Sequence, residues 1–173
     1  LVAAAEVIQA VESIALERFE HSESVVGTVG SIDVTPNATN VIPERVDLGV
    51  DIRDVDRASM DIVQEGLRSV LDRIAAERNV EGSFSKRVDI DPTPLADRAI
   101  EAVHRGADRA GVETLDLHSG AGHDTMHIAT ASDAGMLFAP SIDGVSHSPR
   151  ERTAWSDCET VTRVLAEAML ELA

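Results

Sequence analysis

Two prolines one residue apart, in Asp91-Pro92-Thr93-Pro94, constrain this chain more than any other feature. Each removes a backbone donor and fixes φ, so neither a helix nor a paired strand can run through the tetrapeptide. The apolar residues on either side must then close separate cores. With 173 residues, 43% of them hydrophobic, there is enough material for two small domains, and the boundary divides the chain into residues 1–92 and 93–173.

Upstream of the prolines, Val7, Val11, Ile14, Ala15 and Phe19 recur at three- and four-residue spacing and predict an amphipathic helix. Val25, Val26, Val29, Ile32 and Val34 form a β-rich segment, Pro36 to Pro43 is a loop, and Val46, Leu48, Val50 and Ile52 alternate strictly as a second strand. A second helix is expected from about Arg57 to Arg78, with Met60, Val63, Leu67, Val70, Leu71 and Ile74 on its apolar stripe. Ser83 to Ile90 reads as a further strand. This order fits a small α/β sandwich of the α+β kind.

Downstream, the pattern restarts on another plan. Leu95 to Ala110 is helical and ends at Gly111, Thr114 to Leu117 is a short strand, and Asp124 to Ala131 is helical. Gly135 to Ala139 is a buried strand, and Asp157 to Leu172 is a last helix. Short apolar strands alternating with helices predict part of a parallel α/β sheet, whose functional loops lie at the strands' carboxyl ends. The loops Ser119 to Asp124 and Ser141 to Glu151 occupy those positions.

The charge narrows the partners. There are 31 acidic residues against 15 basic ones, Lys86 is the only lysine, and the formal net charge is −16. Nucleic acid and anionic membrane surfaces require a positive face, so neither is expected as a partner. Dense carboxylates suit a halophile's cytoplasm, where molar salt screens self-repulsion over a few ångströms. No apolar run is long enough to span a bilayer, no secretory leader is recognisable, and the single cysteine, Cys158, cannot close an internal disulfide, so a cytoplasmic protein is expected. The opening Leu1-Val-Ala-Ala-Ala-Glu lacks an initiator methionine and falls directly into helical periodicity, which reads as a boundary inside a longer polypeptide.

Four stretches carry chemistry: Pro36-Asn-Ala-Thr-Asn40-Val-Ile-Pro43-Glu44, Val50-Asp-Ile-Arg53, Ser119-Gly-Ala-Gly122-His123-Asp124, and Met136-Leu-Phe-Ala-Pro140-Ser141 leading into Gly144-Val-Ser-His147-Ser-Pro149-Arg-Glu151. Each alone is weak. Together, in this order and at these separations, they resemble the C-terminal part of the amidohydrolases that cleave N-carbamoyl-L-amino acids, 3-ureidopropionate or allantoate, within the M20 metallopeptidase-like family. The resemblance implies a lid or dimerisation domain at 1–92 and the C-terminal portion of a zinc-hydrolase catalytic domain at 93–173. It also implies two divalent ions, zinc or manganese, with the remaining ligands outside this chain, a small-molecule carboxylate substrate, and a homodimer formed through the lid domain.

Residue by residue, the resemblance makes His147 a metal ligand, whereas the loop alone would read as a surface turn. Glu151 would hold that loop or the imidazole tautomer. Gly122 and His123 would contact substrate, His123 polarising the scissile carbonyl, and Asp124 would orient His123 or cap the next helix. Asn40 and Arg53 would reach the partner subunit's site, where the arginine fork grips the substrate carboxylate by two charge-assisted bonds. On its own, Asn40 reads as a turn residue and Arg53 as a surface charge.

Three competing readings remain. His123-Asp-Thr-Met-His127 is close to a zinc-protease H-E-x-x-H helix, although its aspartate is one methylene short and His123 stands at the helix start. If these 173 residues act alone, the chain is a non-catalytic dimerisation or binding module. An M20 aminoacylase or peptidase is the next enzymatic reading.

Overall fold

A computed structural model describes residues 1–173, which form two compact units, Leu1–Pro92 and Thr93–Ala173. The elements of the first unit are α1 (Val2–Phe19), β1 (Val26–Thr35), β2 (Arg45–Arg53) and α2 (Arg57–Arg78). Helix α2 starts where Asp56 accepts hydrogen bonds from the N–H groups of Ala58 and Ser59, and it stops at Asn79, whose left-handed backbone (φ 52°) ends the helical hydrogen bonding.

The strands pair antiparallel, with Val26 opposite Arg53 and Thr35 opposite Arg45. Register shifts between Val29 and Ser31, so Gly30 is an extra residue. This bulge explains a change of parity in the sequence. Before it, Val25 and Val29 share a face, and after it Ile32 and Val34 continue that face opposite Leu48 and Val46. Both helices pack on the hairpin, closing a core of Val11, Val25, Val63 and Leu67 with Ile14, Val29 and Ile52 against it. Gly27 is required at the closest approach, because a Cβ there would lie 2.9 Å from the Cβ of Ala15.

The expected strand at Ser83 to Ile90 does not form, and the sheet has two strands. Side chains hold this segment to α2 instead of a backbone ladder. Arg57 donates to Asp89 and Asp91, each at 2.8 Å, Lys86 pairs with Asp89, and Arg68 lies 4.9 Å from the centre of the Phe84 ring. Alternation of apolar and polar residues marks an extended segment, but a strand also needs a neighbour with free donors and acceptors.

The second unit contains α3 (Asp97–Ala110), α4 (Asp124–Ala129), one 3-10 turn at Ile142–Gly144 and α5 (Trp155–Leu172). Helix α3 ends at Gly111, left-handed at φ 68°. Helices α3 and α5 pack through small buried residues, Ala99, Ala102 and Ala107 on one and Val164 and Ala168 on the other. At Gly106 the helices are closest: a Cβ there would fall 2.8 Å from the Val164 carbonyl and 2.9 Å from the Ala168 nitrogen. Because those atoms are backbone, they cannot yield. Gly106→Ala should therefore cost about 1–3 kcal/mol from overpacking, reduced by up to about 1 kcal/mol of helix propensity, which thermal denaturation would register as a lower midpoint.

Neither Thr114–Leu117 nor Gly135–Ala139 is paired as a strand, contrary to the sequence expectation. Leu115 and Leu117 are 82% and 60% exposed, so no neighbouring strand covers them within these 173 residues. The helices differ from expectation by only a few residues: α4 stops at Ala129 rather than Ala131, and α5 begins at Trp155 rather than Asp157.

Candidate functional site

In the second unit, two loops present the chemistry. The first runs from Ser119 into α4. His123 is the N-cap residue of that helix, with extended backbone (φ −132°, ψ 156°) and a half-buried side chain. Its Nε2 lies 2.9 Å from Ser119 Oγ, and its ring meets Phe138 edge-on at 5.6 Å between centroids. Ser119 in turn donates to the Ala121 carbonyl (3.0 Å) and accepts from the Ala121 N–H (3.2 Å). Thus Ser119, rather than Asp124, is the side chain that holds the His123 imidazole. Asp124 stays exposed in the first turn of α4, where a carboxylate faces the positive end of the helix.

Gly122 is exposed, and a Cβ there would meet only Met126 Sδ at 3.8 Å. Neither packing nor a positive φ demands glycine at this position. What its missing side chain leaves is room beside the backbone.

The second loop carries His147. Its backbone is left-handed at φ 54°, and its imidazole is exposed. Non-glycine residues pay for that conformation, and here local hydrogen bonds hold it. The His147 N–H donates to Glu151 Oε2 at 2.8 Å, Ser141 Oγ donates to the Val145 carbonyl, and the Ile142 N–H donates to the Arg152 carbonyl at 2.9 Å. Glu151 therefore braces the main chain at His147.

As a metal centre these residues are incomplete. No three His, Cys, Asp or Glu side chains come together in a way that could hold an ion, so His147 stands as a single donor, and one imidazole does not make a site. The zinc-protease reading also loses its geometry. His123 precedes the first helical residue with an extended backbone, its ring is engaged by Ser119 and Phe138, and no third ligand joins it and His127.

In the first unit, Asn40 and Arg53 are not brought together by the hairpin. Asn40 is exposed in the loop beyond the Thr35–Arg45 pair, while Arg53 ends β2 opposite Val26. From Arg45 to Arg53 there are eight steps of about 3.3 Å, roughly 26 Å of strand. Arg53 is half exposed, and its Nε lies 2.7 Å from Asp51 on the same face of the strand. A substrate carboxylate gripped by this fork would compete with Asp51.

The residue after Arg53 anchors it. Asp54 accepts from Ser24 (2.5 Å), Ser22 (2.9 Å) and the Asp56 N–H (3.1 Å), tying the end of β2 to the segment before β1 and to the start of α2. Burial pushes its carboxyl pKa up, but hydrogen bonds to the ionised form, that of Ser24 foremost, outweigh this and bring it down to about 2. A depressed carboxylate contributes stability above its unfolded value near 3.8 and loses it as pH falls through the folded value. The destabilisation caused by Asp54→Ala should therefore shrink between pH 5 and pH 2 by up to about 2 kcal/mol, read from urea midpoints at each pH. Neither Asp54 nor Ser119 was selected from the sequence. Serines four residues before a histidine, or far upstream of an aspartate, give no periodic signal.

The protein-family model described as Peptidase family M20/M25/M40 matches residues 4–171. The chain is 35% identical over 173 residues to an N-carbamoyl-L-amino acid amidohydrolase of Geobacillus stearothermophilus, covering 100% of this chain and 41% of that protein. It is 35% identical to a ureidoglycolate hydrolase of Arabidopsis thaliana, covering 98% of this chain and 36% of that one. A solved amidase of the hydantoinase/carbamoylase family from Burkholderia vietnamiensis superposes with a TM-score of 0.87 at 35% identity, over 98% of this chain and 40% of the solved one. The chain thus spans about two fifths of the length of the proteins it matches. With the likeness continuous through both units and all four motif stretches, this chain belongs to the peptidase family M20/M25/M40.

Proposed function

We propose that this chain is the C-terminal part of a metal-dependent amidohydrolase that hydrolyses an N-carbamoyl-L-amino acid to the free amino acid, carbon dioxide and ammonia, one water being consumed. The observation that carries this reading is the match to a carbamoyl-amino acid amidohydrolase along the whole chain, with the four motif stretches in order. Family likeness supports an amidohydrolase more firmly than it supports one substrate. Allantoate, 3-ureidopropionate and ureidoglycolate share a carboxylate and a ureido-type C–N bond, and an M20 aminoacylase or peptidase is the reading beyond them.

Within this reading His147 is a ligand to one of two divalent ions, zinc or manganese, whose other ligands lie outside these 173 residues. Since the residues present do not form a metal site alone, the part of the chemistry assigned to this chain is narrower. Residues 1–92 serve as lid and dimerisation domain, and residues 93–173 as the end of the catalytic domain. His147 is presented by a loop braced on Glu151, Gly122 leaves space for a ligand against the backbone, and His123 meets the scissile group. Arg53 and Asn40 act on the partner subunit's substrate, the fork of Arg53 taking the carboxylate.

The dimer would form through the open edge of β1; Ser83 to Ile90 supplies no strand, and in this two-stranded sheet β1, like β2, pairs on one edge only. Light scattering in molar salt should give a dimer, and a monomer would remove the route by which Arg53 reaches the other site. No helix is long and apolar enough to cross a membrane. The acidic surface suits a halophile's cytoplasm.

The test is a substrate panel on the longer, metal-loaded polypeptide: N-carbamoyl-L-amino acids, allantoate, 3-ureidopropionate and N-acetyl-amino acids. The highest kcat/KM is expected for a carbamoyl-amino acid. A preference for acetyl substrates would favour the aminoacylase reading. The 173-residue chain by itself should show no hydrolysis and weak zinc binding by calorimetry. Tight zinc binding by this chain, lost in His123→Ala and His127→Ala, would instead restore the zinc-protease reading.

A further inference from the structure

We infer that Ser119 is a positioning residue that fixes His123 as the Nε2–H tautomer and thereby makes Nδ1 the acceptor nitrogen of the ring. A serine hydroxyl has one proton and two lone pairs. Here the proton goes to the Ala121 carbonyl at 3.0 Å, and one lone pair accepts from the Ala121 N–H at 3.2 Å. With the serine proton on the Ala121 carbonyl, the remaining lone pair is left for His123 Nε2 at 2.9 Å, and this assignment puts the hydrogen on that nitrogen. The opposite assignment would take the serine proton from the Ala121 carbonyl. Phe138 holds the ring from a second side, edge-on at 68°, so its orientation is fixed along with its tautomer.

One consequence deepens the function proposed above and rests on it. A neutral imidazole with Nε2–H committed to Ser119 has no second N–H to give to a developing oxyanion. At Nδ1 it accepts a hydrogen bond. That complements an N–H of a ureido group, which an acylated amine lacks on its acyl carbon. The role of His123 then shifts from polarising the carbonyl toward recognising the carbamoyl nitrogen.

The experiment is nitrogen-15 NMR of the histidine rings in the 173-residue chain, at a pH where the imidazoles are neutral. The expected wild-type result is a His123 ring protonated at Nε2, with that proton protected from solvent exchange. Ser119→Ala should abolish the protection, and Ser119→Thr, which keeps the hydroxyl, should restore it. A ring protonated at Nδ1, or protection undiminished in Ser119→Ala, overturns the inference. In the longer polypeptide Ser119→Ala should lower kcat/KM for carbamoyl substrates by about 2- to 12-fold, the value of one hydrogen bond, with recovery in Ser119→Thr. The spectroscopic result does not depend on activity. A protected Nε2–H in a polypeptide inactive on every ureido substrate would sink the proposed function and leave the role of Ser119 standing.

Discussion

Leu67→Ala should destabilise the first unit by about 2–5 kcal/mol, a large fraction of the stability of a small domain. Leu67 is 4% exposed in the cluster with Val11, Val25 and Val63, where α1, the hairpin and α2 meet. Removing its branched end leaves a cavity bounded by rigid elements, so transfer and cavity terms add. Urea denaturation of the wild-type and variant chains reads the loss as a shift of midpoint at constant slope. A shift worth less than about 1 kcal/mol would mean that the unit collapses around the gap and that its core is less closely packed than the buried residues indicate.

Arg53→Lys in the longer polypeptide is expected to lower kcat/KM for a carbamoyl-amino acid by about 10- to 150-fold, equivalent to roughly 1.5–3 kcal/mol. Lysine keeps the charge and loses the fork, so the substrate carboxylate exchanges two charge-assisted bonds for one. Asp51, 2.7 Å from Arg53 Nε, already engages the guanidinium, so the substrate carboxylate must compete with it for the fork. Steady-state kinetics on folded, dimeric variant decides the matter. Activity within about twofold of wild type would make Arg53 a surface charge and remove the carboxylate clamp from the proposed function.

The helices and the hairpin were legible because each rests on local signals. Strict alternation from Val46 to Ile52 and three- and four-residue spacing from Met60 to Ile74 appear in the structure as β2 and α2, and Gly111 ends α3 as its left-handed backbone requires. The bulge at Gly30 was hidden, because an extra residue appears in sequence only as an unexplained change of parity. The segments Ser83–Ile90, Thr114–Leu117 and Gly135–Ala139 show the limit from the other side. Their patterns are those of strands, but pairing depends on neighbours that sequence-local reasoning cannot place.

The candidate site divides in the same way. Histidines in glycine-rich loops are visible at once, and His123 and His147 carry their own flags. Their supports are not visible. That Glu151 would bond to the backbone of His147, that Ser119 would hold His123, and that Asp54 would bind the end of β2 to two serines all depend on loop conformations without periodicity. The separation of Asn40 from Arg53 along β2 was implicit in the alternation of Val46 to Ile52, since a strand of that length cannot bring its two ends together.

The most direct measurement is the metal content and ammonia release of the longer polypeptide carrying His147→Ala. If this chain supplies a ligand to the reaction centre, bound zinc or manganese and kcat fall together, while circular dichroism and dimerisation remain those of the wild type. Full metal occupancy with unchanged release of ammonia from a carbamoyl-amino acid would contradict the account, leaving His147 an exposed residue on a strained turn.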